Sequence, residues 1–205
     1  MERLETEKEN QQKTHIVDYN LKEELEHGIY VSRLARATAN EMKLNPEMVY
    51  DIALAAFLHD LGKLCVQAES AEKIDETVLV TQEMKYVRNH ARLSWKILYD
   101  MDYPINILDM VLHHHENYDG TGYPHGQRGK EINLGARIIR VCDVFAALTT
   151  DRPYRTQCSQ EDALQMMIEE IQHYDLNVFL NFQRLIHRVG TSYQYHFEEE
   201  NIEWH

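Results

Sequence analysis

NPEMVYDIALAAFLHDLGK, residues 45–63, carries most of what decides the fold class. Asn45 before Pro46 reads as a helix start, because an asparagine oxygen can accept a first-turn N–H and proline suits the first helical position, where no N–H is needed. A strongly apolar run follows from Val49 to Leu58, the pattern of a helix set in a core. It ends on His59 and Asp60, two titratable side chains where apolar ones are expected, with Gly62 as the C-terminal stop.

Helical spacing recurs on both sides of this stretch. Upstream, Leu25, Ile29, Leu34 and Ala35 form an amphipathic stripe that also carries His27. Residues 1–20 are polar and charged, which suits a linker or a solvated extension of that helix. Downstream, residues 67–76 are polar and loop-like; Val87, Leu93, Ile97 and Leu98 then resume the helical pattern, with His90 on it. Pro104 interrupts it, a helix is expected over 107–115, and residues 116–134 hold four glycines and one proline, which predicts a long loop with a mobile backbone. A buried-type helix over 134–148 carries Asp143. Ser159 with Asp162 signals a cap for a helix over 160–173, and 178–189 makes a last helix. With no repeat and no convincing alternating pattern, the expected class is all-α: one helical bundle over 21–189, preceded by the charged segment 1–20 and followed by a tail, 190–205.

Composition narrows the function. The chain has 205 residues and a net charge of -13, with 34 acidic against 21 basic side chains. Such a balance argues against binding nucleic-acid polymers through their backbone and against docking on anionic lipid, so a phosphate ligand would have to be held locally. Three scattered cysteines, Cys65, Cys142 and Cys158, with no CxxC pair favour a reducing compartment, and no signal peptide or membrane span is apparent, so a cytoplasmic location is expected. Twelve histidines are an excess that asks for a cause.

The histidines that matter are those on or at the ends of apolar helices: His27, His59, His90, His114 and His115, joined by Asp60 and Asp143. A lone histidine on such a helix is more often a hydrogen-bonded core residue than a ligand. Recurrence on separate helices favours a shared purpose, since burying many imidazoles and two carboxylates is expensive unless divalent ions turn them into ligands. Neighbours on a helix point about 100° apart, so His59 with Asp60, and His114 with His115, reach one site most easily at a helix end. A carboxylate can bridge two cations, which makes Asp60 the natural shared ligand. Histidine and carboxylate without cysteine suit iron, manganese, zinc and similar ions.

In order, His27, the HDLGK of residues 59–63, His90, the HHENYDGTGYP of residues 114–124, Asp143 and the DRPYR of residues 151–155 resemble the HD-GYP family of cyclic di-GMP phosphodiesterases, within the HD phosphohydrolase superfamily. The resemblance runs from about residue 21 to 189. It implies an HD-type bundle with the metal site in its core, one ion on His27, His59, Asp60 and Asp143, and a second on Asp60, His90, His114 and His115. Glu23, one turn before His27, matches a glutamate that helps hold a third ion in some members, although a solvated face explains it as well. Iron or manganese is the expected metal. Lys63 is expected beside the scissile phosphate, acting with Asp60 in catalysis, while Tyr123, Arg152 and Arg155 are expected to bind the dinucleotide. His113 and His125 match no ligand position, and Glu116 and Asp119 are expected to orient ligands or fix the loop. Ala146 stands where many members have aspartate, away from every metal position.

The implied function is hydrolysis of cyclic di-GMP to pGpG and onward to GMP, by attack of a metal-bridging hydroxide on phosphorus. The alternatives are a catalytically weak module that binds the dinucleotide or a diguanylate cyclase (GGDEF) domain, and an HD phosphohydrolase acting on another nucleotide.

Overall fold

The structure, a computed structural model, describes residues 2–64, 79–150 and 157–189, with side chains described over 21–64, 89–150 and 157–188. Among these the architecture is all-α: α1 (Glu2–Glu41), α2 (Pro46–Leu58), α3 (Leu79–Asp100), α4 (Ile105–Leu112), α5 (Leu134–Thr149), α6 (Gln160–Glu169) and α7 (Leu176–Val189). Two short 3-10 turns, Gly129–Glu131 and Ile171–His173, complete the described elements. Arg152 and Arg155 lie outside the described residues, as do Cys65, the polar segment 67–76 and the tail 190–205.

The expected cap of α2 forms: Asn45 Oδ1 accepts the Met48 N–H at 2.8 Å and Pro46 occupies the first position. Its apolar side, Val49, Ile52, Ala55 and Ala56, is buried against the C-terminal half of α1, where Val31, Leu34, Ala35 and Ala39 are buried in turn. Alternating small and branched side chains let the two helices approach closely. α5 is the helix most enclosed by protein, packed on α1, α2, α4, α6 and α7 and burying Ile138, Ile139, Val141, Cys142, Phe145 and Ala146 completely. Phe145 meets Phe182 of α7 edge to face, with ring centroids 5.0 Å apart. Arg137 of α5 also pairs with Asp175, whose other oxygen caps α7 by accepting the Asn177 N–H at 2.9 Å.

Helix ends differ from the sequence expectation by two residues at the starts of α4 and α7, and more consequentially at three other places. α4 stops at Leu112 rather than at residue 115, leaving His113, His114 and His115 on the turn beyond it. α6 stops at Glu169 and gives way to the 3-10 turn, although its Ser159 cap is as expected, accepting the Asp162 N–H at 3.1 Å. Gly62 does not stop a helix: after a two-residue turn at His59 and Asp60, residues 61–64 are helical again. Its role is close approach. A Cβ on Gly62 would lie 2.7 Å from the Ser94 nitrogen and nearer still to the His90 carbonyl, and the Gly62 N–H donates to Ser94 Oγ at 2.8 Å. The absent side chain therefore seats the His59-Asp60 turn directly on α3, beside His90.

Candidate metal centre

Five segments deliver the site. His27 comes from α1, His59 and Asp60 from the turn after α2, His90 from α3, His114 and His115 from the turn after α4, and Asp143 from α5. The seven fall into two groups that share Asp60, each with its donor atoms within 4.8 Å of one another: His27, His59, Asp60 and Asp143, and Asp60, His90, His114 and His115. The two carboxylate oxygens of Asp60 divide between the groups. Oδ2 lies 3.0 Å from His59 Nε2 and 3.7 Å from His27 Nε2, whereas Oδ1 lies 3.2 Å from His90 Nε2 and 4.0 Å from His114 Nε2. Asp143 Oδ1 closes the first group at 3.0 Å from His27 Nε2 and 3.7 Å from His59 Nε2. In the second, His90 Nε2 stands 3.2 Å from His114 Nε2 and 3.0 Å from His115 Nε2.

Backbone carbonyls set the ring orientations. His59 Nδ1 donates to Ala56 O and His114 Nδ1 to Val111 O, each at 2.7 Å, which turns both Nε2 atoms inward. This is how metal-binding imidazoles are usually oriented. His59 Nε2 and Asp60 Oδ1 are buried without a hydrogen-bond partner, which is costly for bare polar atoms. A cation in each group would satisfy both atoms, so the donor set fits divalent ions of the borderline class.

The electrostatics agree. Burial works against charge on His59, but Asp60 and Asp143 outweigh it and push its pKa up to about 10, so the two carboxylates favour a positive charge at this position. Asp60 and Asp143 are held well below the usual carboxylate range, burial being overcome chiefly by His59 and Lys63 at Asp60 and by His27 and His59 at Asp143. His114 and His115 go the other way. Burial and neighbouring imidazoles lower both, His115 to about 3, so they stay neutral with lone pairs available for coordination.

Lys63 Nζ donates to Asp60 Oδ2 at 2.5 Å; burial works against its charge, but Asp60, Glu24 and Asp143 together raise the lysine pKa and keep it charged at the rim. Tyr123 packs its ring on His115, centroids 4.8 Å apart, and its N–H donates to His115 O at 3.2 Å. Glu23 is exposed and belongs to neither group. The acid that turns toward the site is its neighbour Glu24, whose pKa is raised by burial and partly restrained by Lys63.

The loop after His115 is more firmly tied than its glycines suggest. Asp119 Oδ1 accepts the Thr121 N–H and hydroxyl at 3.0 and 2.7 Å, the Tyr118 N–H donates to His173 O at 2.8 Å, and Arg140 Nε donates to Asn117 Oδ1 at 3.1 Å. Gly122 is where the backbone folds back on itself, since a Cβ there would lie 2.5 Å from the Glu116 Cα. Arg140, which this hydrogen bond sets near Tyr123 and His115, was not marked by any sequence pattern.

A family profile described as HD domain matches residues 4–178. The chain belongs to the HD domain family. Its relatives include proteins named as cyclic di-GMP phosphodiesterases, in keeping with the HD-GYP resemblance of the ordered motifs. A cyclic di-GMP phosphodiesterase of Pseudomonas aeruginosa is 36% identical over 161 residues, 78% of this chain and 38% of that protein. A 3'3'-cGAMP-specific phosphodiesterase of Vibrio cholerae is 31% identical over 189 residues, 92% of this chain and 43% of that protein. The HD domain thus spans less than half the length of either. Among solved structures, an HDG"Y"P protein from Bdellovibrio bacteriovorus shares the fold with a TM-score of 0.64 at 19% identity, covering 80% of this chain and 52% of that one. No helix among the described residues is long and apolar enough to cross a membrane.

Proposed function

We propose that this HD domain is a metal-dependent phosphodiesterase that opens cyclic di-GMP to linear pGpG and continues to GMP. The observation that carries the proposal is the division of Asp60, with Oδ2 turned to His59 and His27 and Oδ1 turned to His90 and His114. A carboxylate so placed suits two adjacent ions, the first on His27, His59, Asp60 and Asp143, the second on Asp60, His90, His114 and His115. Iron or manganese fits this thiolate-free donor set. Divalent ions here would supply Lewis acidity, lowering the pKa of water and offsetting charge on a phosphodiester.

The chain's own residues do the rest. Lys63, charged and at the rim, stabilises charge on the phosphate or the departing oxygen. Tyr123, its ring tilted by 31° against that of His115, offers an aromatic surface to a guanine. Arg152 and Arg155 contribute guanidinium contacts to phosphate or base. Residues 21–189 form the catalytic unit, which acts in the cytoplasm and can engage a GGDEF domain. A second reading, 3'3'-cGAMP as substrate, is favoured by the Vibrio cholerae relative, which aligns with 92% of the chain.

The test is product analysis after anaerobic metal loading, with cyclic di-GMP and 3'3'-cGAMP supplied separately. Linear pGpG followed by GMP is expected, and Asp60→Asn should lose both ions and turnover. Metal-loaded protein that leaves both dinucleotides intact would overturn the proposal in favour of a binding module.

A further inference from the structure

A third group of donors lies apart from the two that share Asp60: His113, Glu116 and His125, with donor atoms within 4.8 Å of one another. We propose that these three residues form a separate site for one divalent ion of the zinc-like class, joining the segment after Pro124 to the end of α4. The inference does not depend on the reaction proposed above.

Each ligand is prepared in a different way. His113, 5% exposed at the C-terminal cap of α4, has Nδ1 2.8 Å from Asp109 Oδ1 and 3.0 Å from Asp109 O. Donating Nδ1–H to Asp109 leaves Nε2 with a lone pair, and Asp109 is itself fixed by Asn133 Nδ2, 3.0 Å from Oδ2. A carboxylate behind an imidazole is the usual way to orient a metal ligand and raise its basicity. His113 Nε2 faces His125 Nδ1 at 2.9 Å. Glu116 is 2% exposed; its Oε1 accepts the His125 N–H at 2.7 Å, while Oε2 is buried with no partner. A buried carboxylate oxygen lacking any donor is costly, and a cation is the partner that it lacks.

Two imidazoles and one carboxylate without thiolate select borderline divalent ions over calcium or magnesium. In the empty arrangement His125 Nδ1–H donates to His113 Nε2. On metal binding that proton moves to the exposed Nε2 of His125, so both imidazoles remain neutral and no proton need be lost. Residues 113 and 125 bracket the Gly-Tyr-Pro turn, so an ion between them would hold Tyr123 against His115.

The experiment counts zinc per chain by mass spectrometry after the metal-loaded protein is equilibrated with zinc and free ion removed. Wild type is expected to retain one zinc more than His125→Ala or Glu116→Gln, and Asp109→Asn to bind that zinc about 10- to 100-fold more weakly. Asp60→Asn should keep the extra ion while losing those of the core. On zinc addition, amide exchange in residues 120–129 should slow in wild type and stay unchanged in His125→Ala. Equal zinc counts in wild type and His125→Ala, or an extra ion that disappears with Asp60→Asn but survives His125→Ala, would overturn the proposal and leave a plain imidazole hydrogen bond. His125 is exposed, so its replacement does not threaten the fold.

Discussion

Replacing Gly62 by alanine should separate the two halves of the metal centre without touching a ligand. The new Cβ would sit 2.7 Å from the Ser94 nitrogen, about 0.7 Å inside the 3.4 Å at which ordinary contact begins, and closer still to the His90 carbonyl. Both obstacles are backbone atoms of α3, which no side-chain rotation can clear. The 61–64 turn must therefore move away from α3 by about 1 Å, and overpacking of this kind costs about 1–3 kcal/mol. The displacement falls on the gap between Asp60 Oδ1 and His90 Nε2, now 3.2 Å, so the second group loses its geometry while His27, His59, Asp60 and Asp143 keep theirs. Metal analysis should find one core ion fewer than in wild type, and a 1 Å misplacement should lower kcat about 100-fold. Thermal unfolding read alongside would show a folded but less stable protein. Gly62→Ala with full metal content, wild-type turnover and an unchanged melting temperature would refute the close-approach reasoning.

Three other outcomes are expected. Lys63→Met should retain both ions but lower kcat by roughly 100- to 1,000-fold, the usual loss when one charge-stabilising donor is removed, as steady-state kinetics with metal analysis would check. Chelator-stripped protein should be most stable near neutral pH. The raised His59 contributes fully below pH 6.5 and its contribution is lost as pH climbs through about 10; the contribution of His115, lowered to about 3, is lost as pH falls from 6.5 through that value. Urea midpoints from pH 4 to 10 would show it, and a flat profile in stripped protein would contradict it. Asn45→Ala removes the acceptor of the Met48 N–H and should lower stability by about 0.5–2 kcal/mol in denaturant titration, without altering metal content.

The all-α class and the clustering of the seven candidate ligands were legible because each of these side chains breaks an apolar helical pattern, and a buried imidazole or carboxylate is expensive unless it finds partners. The caps Asn45 and Ser159 were legible because their chemistry is local. What escaped depends on distant contacts. Gly62 looks like a helix stop until α3 is seen lying against it, and α4 ends three residues early so that His114 and His115 can turn inward. Glu23 and Glu24 differ by 100° of helix rotation, a distinction that an acid-rich segment does not reveal on its own. His113, Glu116 and His125 come together only once the loop doubles back at Gly122.

The convergence on Asp60 has a consequence for how the molecule persists. His27 and Asp143 meet across a separation of 116 residues, and the remaining ligands fall between them in the chain. Tying such remote points together removes more freedom from the unfolded chain than any short-range bond, much as a disulfide closing a long loop would. Withdrawing ions from such a centre would then loosen the architecture itself, and a more frequently opened chain is a better substrate for proteolysis.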